Sequence, residues 1–246
     1  DEKAKTTRIF IPSLVTDNKF FLNSYPEYLN RLENLSEKDK KALRYGEWDI
    51  FDGQYFSEFN RDIHVIKPFP ISEEWRYYFT CDYGLDMLAG YIIAVDTQGR
   101  AYVVTETYES GLIVSEAADR IKAQCKGYDI YQYLCPPDLK KRTNDSGKSV
   151  LDLFHDNGIH FTITGNSRVA GWLNLHEWLK PFEDETGKTT ASIVIFNNCT
   201  NLIRCLPGLL TDTKNPMDCA NEPHELTHGP DAIRYILDRR PVPAKI

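Results

Sequence analysis

Three β-rich runs in the middle of the chain constrain its fold more than any other feature. They cover residues 76–82, 88–95 and 100–107. The Asp-Thr-Gln-Gly sequence at 96–99 predicts a hairpin turn between the second run and the third. Because strands joined by such short connections pair side by side, this region predicts an antiparallel meander of three strands.

After the meander, helix and strand signals alternate to the end of the chain. Amphipathic patterns with glycine or proline stop signals predict helices at residues 115–126, 149–157, 169–179, 201–206 and 230–239. Short apolar runs predict strands at 129–135, 159–163 and 192–196. Parallel strands need helical crossovers of this kind. The sequence therefore predicts an α/β fold whose mixed β-sheet, an antiparallel meander followed by parallel strands, is flanked by helices.

The first 70 residues differ in character from the rest. They are rich in polar and aromatic residues and contain one clear helix signal, a capping pattern from Ser36 to Asp39 with a stop at Gly46. A segment this short and polar does not supply a core of its own. We therefore predict an N-terminal extension or linker over residues 1–70 and an α/β domain over residues 71–246.

Composition limits the classes of partner. The chain has 29 Lys and Arg residues against 36 Asp and Glu residues, a net charge of -7, which argues against binding nucleic acid through overall charge. A polyanion would have to meet a local basic patch. The apolar runs are shorter than the roughly 20 residues of a membrane-spanning helix, so no membrane partner is expected. The six cysteines form no Cys-x-x-Cys pair, which favours a reduced intracellular setting.

Two Gly-Lys-Ser/Thr triplets, at residues 147–149 and 187–189, raise the question of a nucleotide-binding loop. That loop also needs a glycine five residues before the glycine of the triplet, so that backbone N–H groups can surround the phosphates. Arg142 and Phe182 hold those positions. We therefore expect no ATPase activity from this chain alone.

Residues 224–228, with the sequence His-Glu-Leu-Thr-His, match the His-Glu-x-x-His pattern of zinc peptidases. That chemistry requires both histidines on one face of a helix, one turn apart. Pro223 precedes the motif and Gly229-Pro230 follows it, so a helix confined to the motif would be a poor platform. A zinc peptidase is kept as the less favoured alternative.

Three carboxylates stand out by their position. Asp82 ends the first strand of the meander, Asp138 follows the predicted strand at 129–135, and Asp231 lies in the first turn of the last helix. Functional groups in parallel parts of α/β sheets cluster where strands end. Converging carboxylates would bind hard divalent cations, although each residue alone also fits an ordinary turn or helix start.

Several segments carry a family resemblance. They have the sequences GEWD at 46–49, GQYF at 53–56, CDYG at 81–84, CPPD at 135–138 and HGPDAIRY at 228–235, with support from RVAGW at 168–172 and NLIR at 201–204. In these segments the chain resembles the nuclease domain of tailed-bacteriophage terminase large subunits, the motors that package viral DNA. The resemblance covers residues 7–237 and implies a ribonuclease H-like fold that cuts double-stranded DNA with metal ions. It also implies that residues 1–70 correspond to the end of the motor ATPase domain and its linker.

The resemblance assigns roles to individual residues. Asp82, Asp138 and Asp231 match the catalytic acidic triad, and His228 matches a histidine near its last member. Together they would hold two divalent cations, Mg²⁺ or Mn²⁺, with His228 favouring Mn²⁺. Thr227 departs from the pattern, which often has an acidic residue there. His224 need not approach the cations on this interpretation.

The resemblance also implies partners. A small basic segment is expected to grip DNA phosphates without reading bases, and its residues are Lys140, Lys141, Arg142 and Lys148, assisted by Arg168. The further partners are the ATPase domain, the portal protein and the small terminase subunit, in the cytoplasm of the infected host cell. A noncatalytic DNA-docking or assembly module with the same fold is the alternative.

Overall fold

The chain forms two compact units, residues 1–52 and 53–246. The computed structural model describes residues 13–35, 40, 43–45, 53–141, 147–165, 167–239 and 241–243. In the first unit α1 (Lys19–Ser24) and α2 (Tyr28–Glu33) are short helices. Most of the helix predicted from Ser36 to Gly46 lies outside the described residues. The domain boundary predicted at residue 70 stays a prediction.

The second unit alternates helices and strands. Its helices are α3 (Arg61–His64), α4 (Val114–Cys125), α5 (Val150–Asp156), α6 (Arg168–Leu179), α7 (Thr200–Gly208) and α8 (His228–Asp238). Its strands are β1 (Val65–Ile66), β2 (Arg76–Tyr83), β3 (Leu88–Val95), β4 (Ala101–Glu109), β5 (Ile130–Cys135), β6 (Phe161–Ile163), β7 (Phe182–Glu183), β8 (Thr189–Thr190) and β9 (Ile193–Phe196). Pro137–Lys140 and His224–Leu226 form 3₁₀ turns.

Seven strands form one sheet in the order β1-β9-β4-β3-β2-β5-β6. The pairs β2/β3 and β3/β4 are antiparallel, whereas β1/β9, β4/β9, β2/β5 and β5/β6 are parallel. This confirms the predicted mixed sheet. The two-residue strand β1 and the β7/β8 hairpin were not predicted, because strands of that length are too short to display a period.

The last helix begins at His228, two residues before the predicted start at Pro230. Asp231 N–H donates to Thr227 O at 2.9 Å, which extends the helical hydrogen bonding back to Thr227. Pro230 still lies in the first turn, where a missing N–H costs little. The start predicted from Pro230 was therefore too late.

Helices cover both faces of the sheet. On one face, apolar side chains of α6, α7 and α8 pack on the sheet around Trp172, Leu202 and Ile233. On the other face, α4 and α5 pack on it around Ile121 and Phe154. All of β3 is buried, as expected for a central strand covered on both sides.

Helix α8 is fixed to β2 by a buried hydrogen bond. Thr80 Oγ1 donates to Ala232 O at 2.7 Å. This contact brings Asp231 to the end of β2, where Asp82 lies. Since β5 runs parallel beside β2, the turn that holds Asp138 follows β5 at the same edge of the sheet. The fold thus gathers the three predicted acids at one edge.

The two Gly-Lys-Ser/Thr triplets have local structural roles. Ser149 caps α5, its Oγ accepting a hydrogen bond from Asp152 N–H at 3.1 Å. Gly187 has a φ of 78° in the turn between β7 and β8.

All six cysteines are buried and unpaired. No helix in the described part of the chain is long and apolar enough to span a membrane.

Candidate metal centre

His228 and Asp82 form the centre of the candidate site. Asp82 lies near the end of β2, and His228 is the first residue of α8. The Nδ1 atom of His228 lies 2.8 Å from Asp82 Oδ2. Burial lowers the pKa of His228, but the hydrogen bond and charge of Asp82, together with the nearby charge of Asp86, outweigh it. The pKa of His228 is therefore raised.

Asp231 lies on the same helix, three residues after His228. Its carboxyl group is nearly buried, and Arg234 Nε donates to Oδ1 at 2.7 Å. Burial raises the pKa of Asp231, the charge of Arg234 opposes this, and the charge of Asp82 raises it further. Asp82 and Asp231 are thus close enough to repel each other.

Asp138 is exposed on the 3₁₀ turn after β5. Its link to the other acids is seen at Tyr235, a buried residue of α8. Burial raises the pKa of Tyr235 well above its usual value, and the charges of Asp82, Asp231 and, more weakly, Asp138 add to the rise. All three predicted acids are therefore close enough to Tyr235 for their charges to raise its pKa.

A second group of candidate metal ligands lies beside the pair formed by His228 and Asp82. Among the described residues, one set of three His, Cys, Asp or Glu side chains has its ligand atoms all within 4.8 Å of one another: Asp86, His224 and His228. Asp86 Oδ2 lies 3.2 Å from His224 Nε2 and 3.3 Å from His228 Nε2. The two imidazole centroids are 4.5 Å apart. His224, which was not predicted to approach the cations, lies beside His228.

The sequence matches no protein-family model and no curated protein. Solved structures do match. The large terminase of a thermophilic bacteriophage, in complex with ADP, has a TM-score of 0.61 at 18% identity, over 91% of this chain and 53% of that chain. The large terminase nuclease of thermophilic phage G20c has a TM-score of 0.51 at 14% identity, over 77% and 99%. The g2p (large terminase) nuclease domain of bacteriophage SPP1 with bound Mn has a TM-score of 0.50 at 17% identity, over 75% and 97%.

The chain has the ribonuclease H-like fold of large terminase nuclease domains. This confirms the fold that the resemblance implied. The chain spans about half the length of the ADP-bound large terminase and nearly the whole length of the isolated G20c and SPP1 nuclease domains.

The geometry of residues 224–228 differs from that of a zinc peptidase. His224 lies in a 3₁₀ turn, whereas His228 begins α8, so the two histidines do not share one α-helix. The Glu225 carboxylate is directed to Arg204, at 3.3 Å from Nη1. The zinc-peptidase arrangement of two helical histidines and a glutamate base is therefore not formed by these residues.

The basic residues predicted to bind DNA lie in different environments. Lys140 and Lys141 are exposed beside Asp138. Lys148 Nζ lies 2.6 Å from Asp156 Oδ2, and Arg168 Nε donates to Asp218 Oδ1 at 3.0 Å. Arg142 lies outside the described residues. Their role in DNA binding stays a prediction.

Three residues of the site received no role from the sequence: Asp86, Arg234 and Tyr235. His224 had a role only in the zinc-peptidase alternative. The spacing of Asp231 and Arg234, three residues apart on a predicted helix, was a usable signal because such pairs face each other. No sequence signal distinguished Asp86, since exposed carboxylates are common in turns. Pro223 and Pro230 predicted no helix over residues 224–228, so the spacing of the two histidines did not indicate a contact between them.

Proposed function

We propose that this chain is a metal-dependent endonuclease domain that cuts double-stranded DNA during viral genome packaging. The observation that carries the proposal is the 2.8 Å pair of His228 and Asp82 beside the buried Asp231. The similarity of fold to the G20c and SPP1 nuclease domains supports it, and the SPP1 domain has bound Mn.

The chemistry of the donor set fits divalent cations. Burial and the charge of Asp82 both raise the pKa of Asp231, so the ionised carboxylates are disfavoured next to each other. A bound cation would relieve that repulsion. Carboxylate oxygens with one imidazole nitrogen suit Mn²⁺ and Mg²⁺. In this proposal Asp82, Asp138, Asp231 and His228 hold two divalent cations.

Two such cations would lower the pKa of an attacking water and neutralise charge on the phosphate and the leaving oxygen. Contacts within the protein hold the side chains that would bind these cations. Arg234 holds the Asp231 carboxylate at 2.7 Å, and the hydrogen bond from Thr80 to Ala232 ties α8 to β2. His228 Nδ1 lies 2.8 Å from Asp82 Oδ2, so the imidazole is held beside the carboxylates.

DNA would be gripped locally, since the whole chain is acidic. In this proposal the phosphates meet Lys140 and Lys141 beside Asp138, with contributions from Arg142, Lys148 and Arg168. Such contacts carry no base information, so cutting is expected to be nonspecific. The proposed setting is a packaging motor in the host cytoplasm, with an ATPase domain, a portal protein and a small terminase subunit as partners.

Plasmid cleavage tests the proposal. Wild-type protein with Mn²⁺ or Mg²⁺ should convert supercoiled DNA into nicked and linear forms, and EDTA should stop the reaction. Asp82→Asn should slow it by at least about 100-fold, equivalent to roughly 2.7 kcal/mol of barrier. Asp119→Asn, an exposed position on α4, serves as the matched control.

Intact plasmid with every divalent cation, while the wild-type protein is folded, would overturn the proposal. DNA binding without cleavage, insensitive to Asp138→Asn, would favour the noncatalytic docking module instead. Cleavage that survives Asp82→Asn would assign the activity to other residues or to a contaminant.

A further inference from the structure

We infer that Asp86, His224 and His228 form a binding site for one four-coordinate transition-metal ion of the Zn²⁺ or Co²⁺ class. The ligand atoms are Asp86 Oδ2, His224 Nε2 and His228 Nε2. The site shares His228 with the proposed nuclease centre, but its other two ligands are separate. The inference of this site rests on the positions of the three side chains and not on the proposed activity.

Two of the three distances between the ligand atoms match such an ion, and all three ligand atoms lie within 4.8 Å of one another. Ligands of a tetrahedral Zn²⁺ lie about 2.0 Å from the metal, so neighbouring ligand atoms are about 3.3 Å apart. Asp86 Oδ2 lies 3.2 Å from His224 Nε2 and 3.3 Å from His228 Nε2. The carboxylate is therefore already at ligand spacing from both imidazoles.

The outer nitrogen atom, Nδ1, of each imidazole has a polar neighbour, and that of His228 is a carboxylate, as metal-binding histidines often have. His228 Nδ1 donates to the Asp82 carboxylate at 2.8 Å, and His224 Nδ1 lies 3.5 Å from Thr227 Oγ1. Hydrogen bonds at the outer nitrogen fix the tautomer that leaves the Nε2 lone pair free for a metal. Thr227, at a position where the family pattern often has an acidic residue, lies within reach of the His224 imidazole.

The loop between β2 and β3 leaves room for the Asp86 carboxylate. Gly84 and Met87 exchange two backbone hydrogen bonds across this turn, at 2.8 Å and 3.3 Å. A Cβ atom at Gly84 would collide with Asp86 Oδ1. The Asp86 and His224 side chains are 55% and 60% exposed, so an ion can enter and a water can complete the coordination.

The donor set selects the class of metal. Two imidazoles and one carboxylate suit Zn²⁺ and Co²⁺, whereas Mg²⁺ prefers oxygen ligands. An ion at this site engages His228 Nε2 while Asp82 stays hydrogen-bonded to Nδ1. If the proposed function holds, this ion competes with the cleavage cations for His228.

Titration of the metal-free full chain with Co²⁺ tests the inference, with visible absorption as the readout and no DNA present. One Co²⁺ per chain should give the intense absorption of four-coordinate Co²⁺, and excess Mg²⁺ should not displace it. His224→Ala and Asp86→Asn should each weaken binding at least about tenfold, since losing even a hydrogen-bond partner of a ligand costs roughly 10–100-fold. Gly84→Ala should weaken it too, because the new methyl group displaces the Asp86 carboxylate.

His160→Ala is the matched control. His160 and His155 also form an adjacent pair, with centroids 4.4 Å apart, but they belong to no such three-residue group among the described residues. A four-coordinate Co²⁺ signal that survives His224→Ala, is lost with His160→Ala or is removed by excess Mg²⁺ overturns the inference. A titration that gives only six-coordinate Co²⁺, with no four-coordinate absorption, does so as well.

Failure of this inference and failure of the proposed function are distinguishable. A wild-type protein that cleaves plasmid but lacks the four-coordinate Co²⁺ signal refutes only the new site. Asp138→Asn, expected to lose cleavage, should keep that signal, because Asp138 is not one of its ligands. Circular dichroism of each variant verifies that the protein is folded.

Discussion

His228 Nδ1 and Asp82 Oδ2 lie 2.8 Å apart, although 146 positions separate the two residues in the sequence. One partner comes from β2 in the sheet and the other from the first turn of α8. The pair therefore forms only when the helix is correctly packed on the sheet. It links the geometry of the site to the stability of the fold.

The stability of the metal-free protein should reflect this pair through pH. The pKa of His228 is raised from its ordinary value of 6.5. The folded state thus holds the proton more tightly than the unfolded state, and the resulting stabilisation is complete below the unfolded pKa. It should be lost as pH rises through the raised pKa.

Urea unfolding of the wild type and of His228→Gln in EDTA measures this, over a range from about pH 5 to 8.5. The difference in free energy of unfolding between the two proteins should be largest at the acidic end and should shrink as pH rises. A difference that is constant or grows with pH would refute the link.

Arg234 should contribute strongly to stability because it neutralises a buried carboxylate. Its guanidinium is nearly buried, pairs with Asp231 at 2.7 Å and lies 5.0 Å from the Trp172 ring centroid. Arg234→Met would leave Asp231 buried and unpaired, which costs about 3–5 kcal/mol. Denaturant unfolding near neutral pH measures the loss.

Two further variants make the Arg234 experiment decisive. Arg120→Met breaks the exposed ion pair with Glu109 and should have little effect. Adding Asp231→Asn to Arg234→Met should recover part of the lost stability, because no unpaired charge remains. A loss in Arg234→Met no larger than that in Arg120→Met would contradict the assignment.

Long periodic segments made the main elements predictable. The run at 88–95 coincides with β3, and α4 and α6 begin within one residue of their predicted starts. The strands of two residues carry no period and were missed. Neither local period nor spacing predicts that β9 pairs with both β1 and β4, since that depends on packing across the whole domain.

The site was less predictable than the fold. Asp82 and Asp231 could be predicted as site residues because each lies at the end or start of a predicted element. The contact of His224 with Asp86 could not be predicted, because it joins a 3₁₀ turn to a loop between strands. Arg168 illustrates the same limit, since its partner Asp218 is 50 positions away. Local spacing predicts contacts within an element and not those between distant loops.

The six cysteines should be chemically inert in the native protein. Burial raises the pKa of Cys125 to about 11 and, with the charge of Asp138, that of Cys135 to about 12. Since the thiolate is the reactive form, a thiol reagent at mildly alkaline pH should label none of the native cysteines and all of them in denaturant. Ser115→Cys, at an exposed position on α4, should react at once. Rapid labelling of the wild-type native protein would contradict this.

Lys140 and Lys141 should control the salt dependence of DNA binding. Both are exposed beside Asp138, at the edge of the sheet where β5 ends. Each phosphate contact that is lost should reduce the slope of log K against log salt by about 0.9. The double variant Lys140→Ala/Lys141→Ala should therefore flatten the slope by about 1.8 and weaken binding equally for all sequences.

Lys126→Ala is the matched control for this measurement. Lys126 is also exposed, but it follows α4 and precedes β5, so it lies at the opposite edge of the sheet from Asp138. The variant should leave the slope unchanged when binding is measured by fluorescence anisotropy in Ca²⁺ or EDTA over a series of salt concentrations. An unchanged slope in the double lysine variant, or an equal change in Lys126→Ala, would show that DNA does not contact the protein through Lys140 and Lys141 at the edge that carries Asp138.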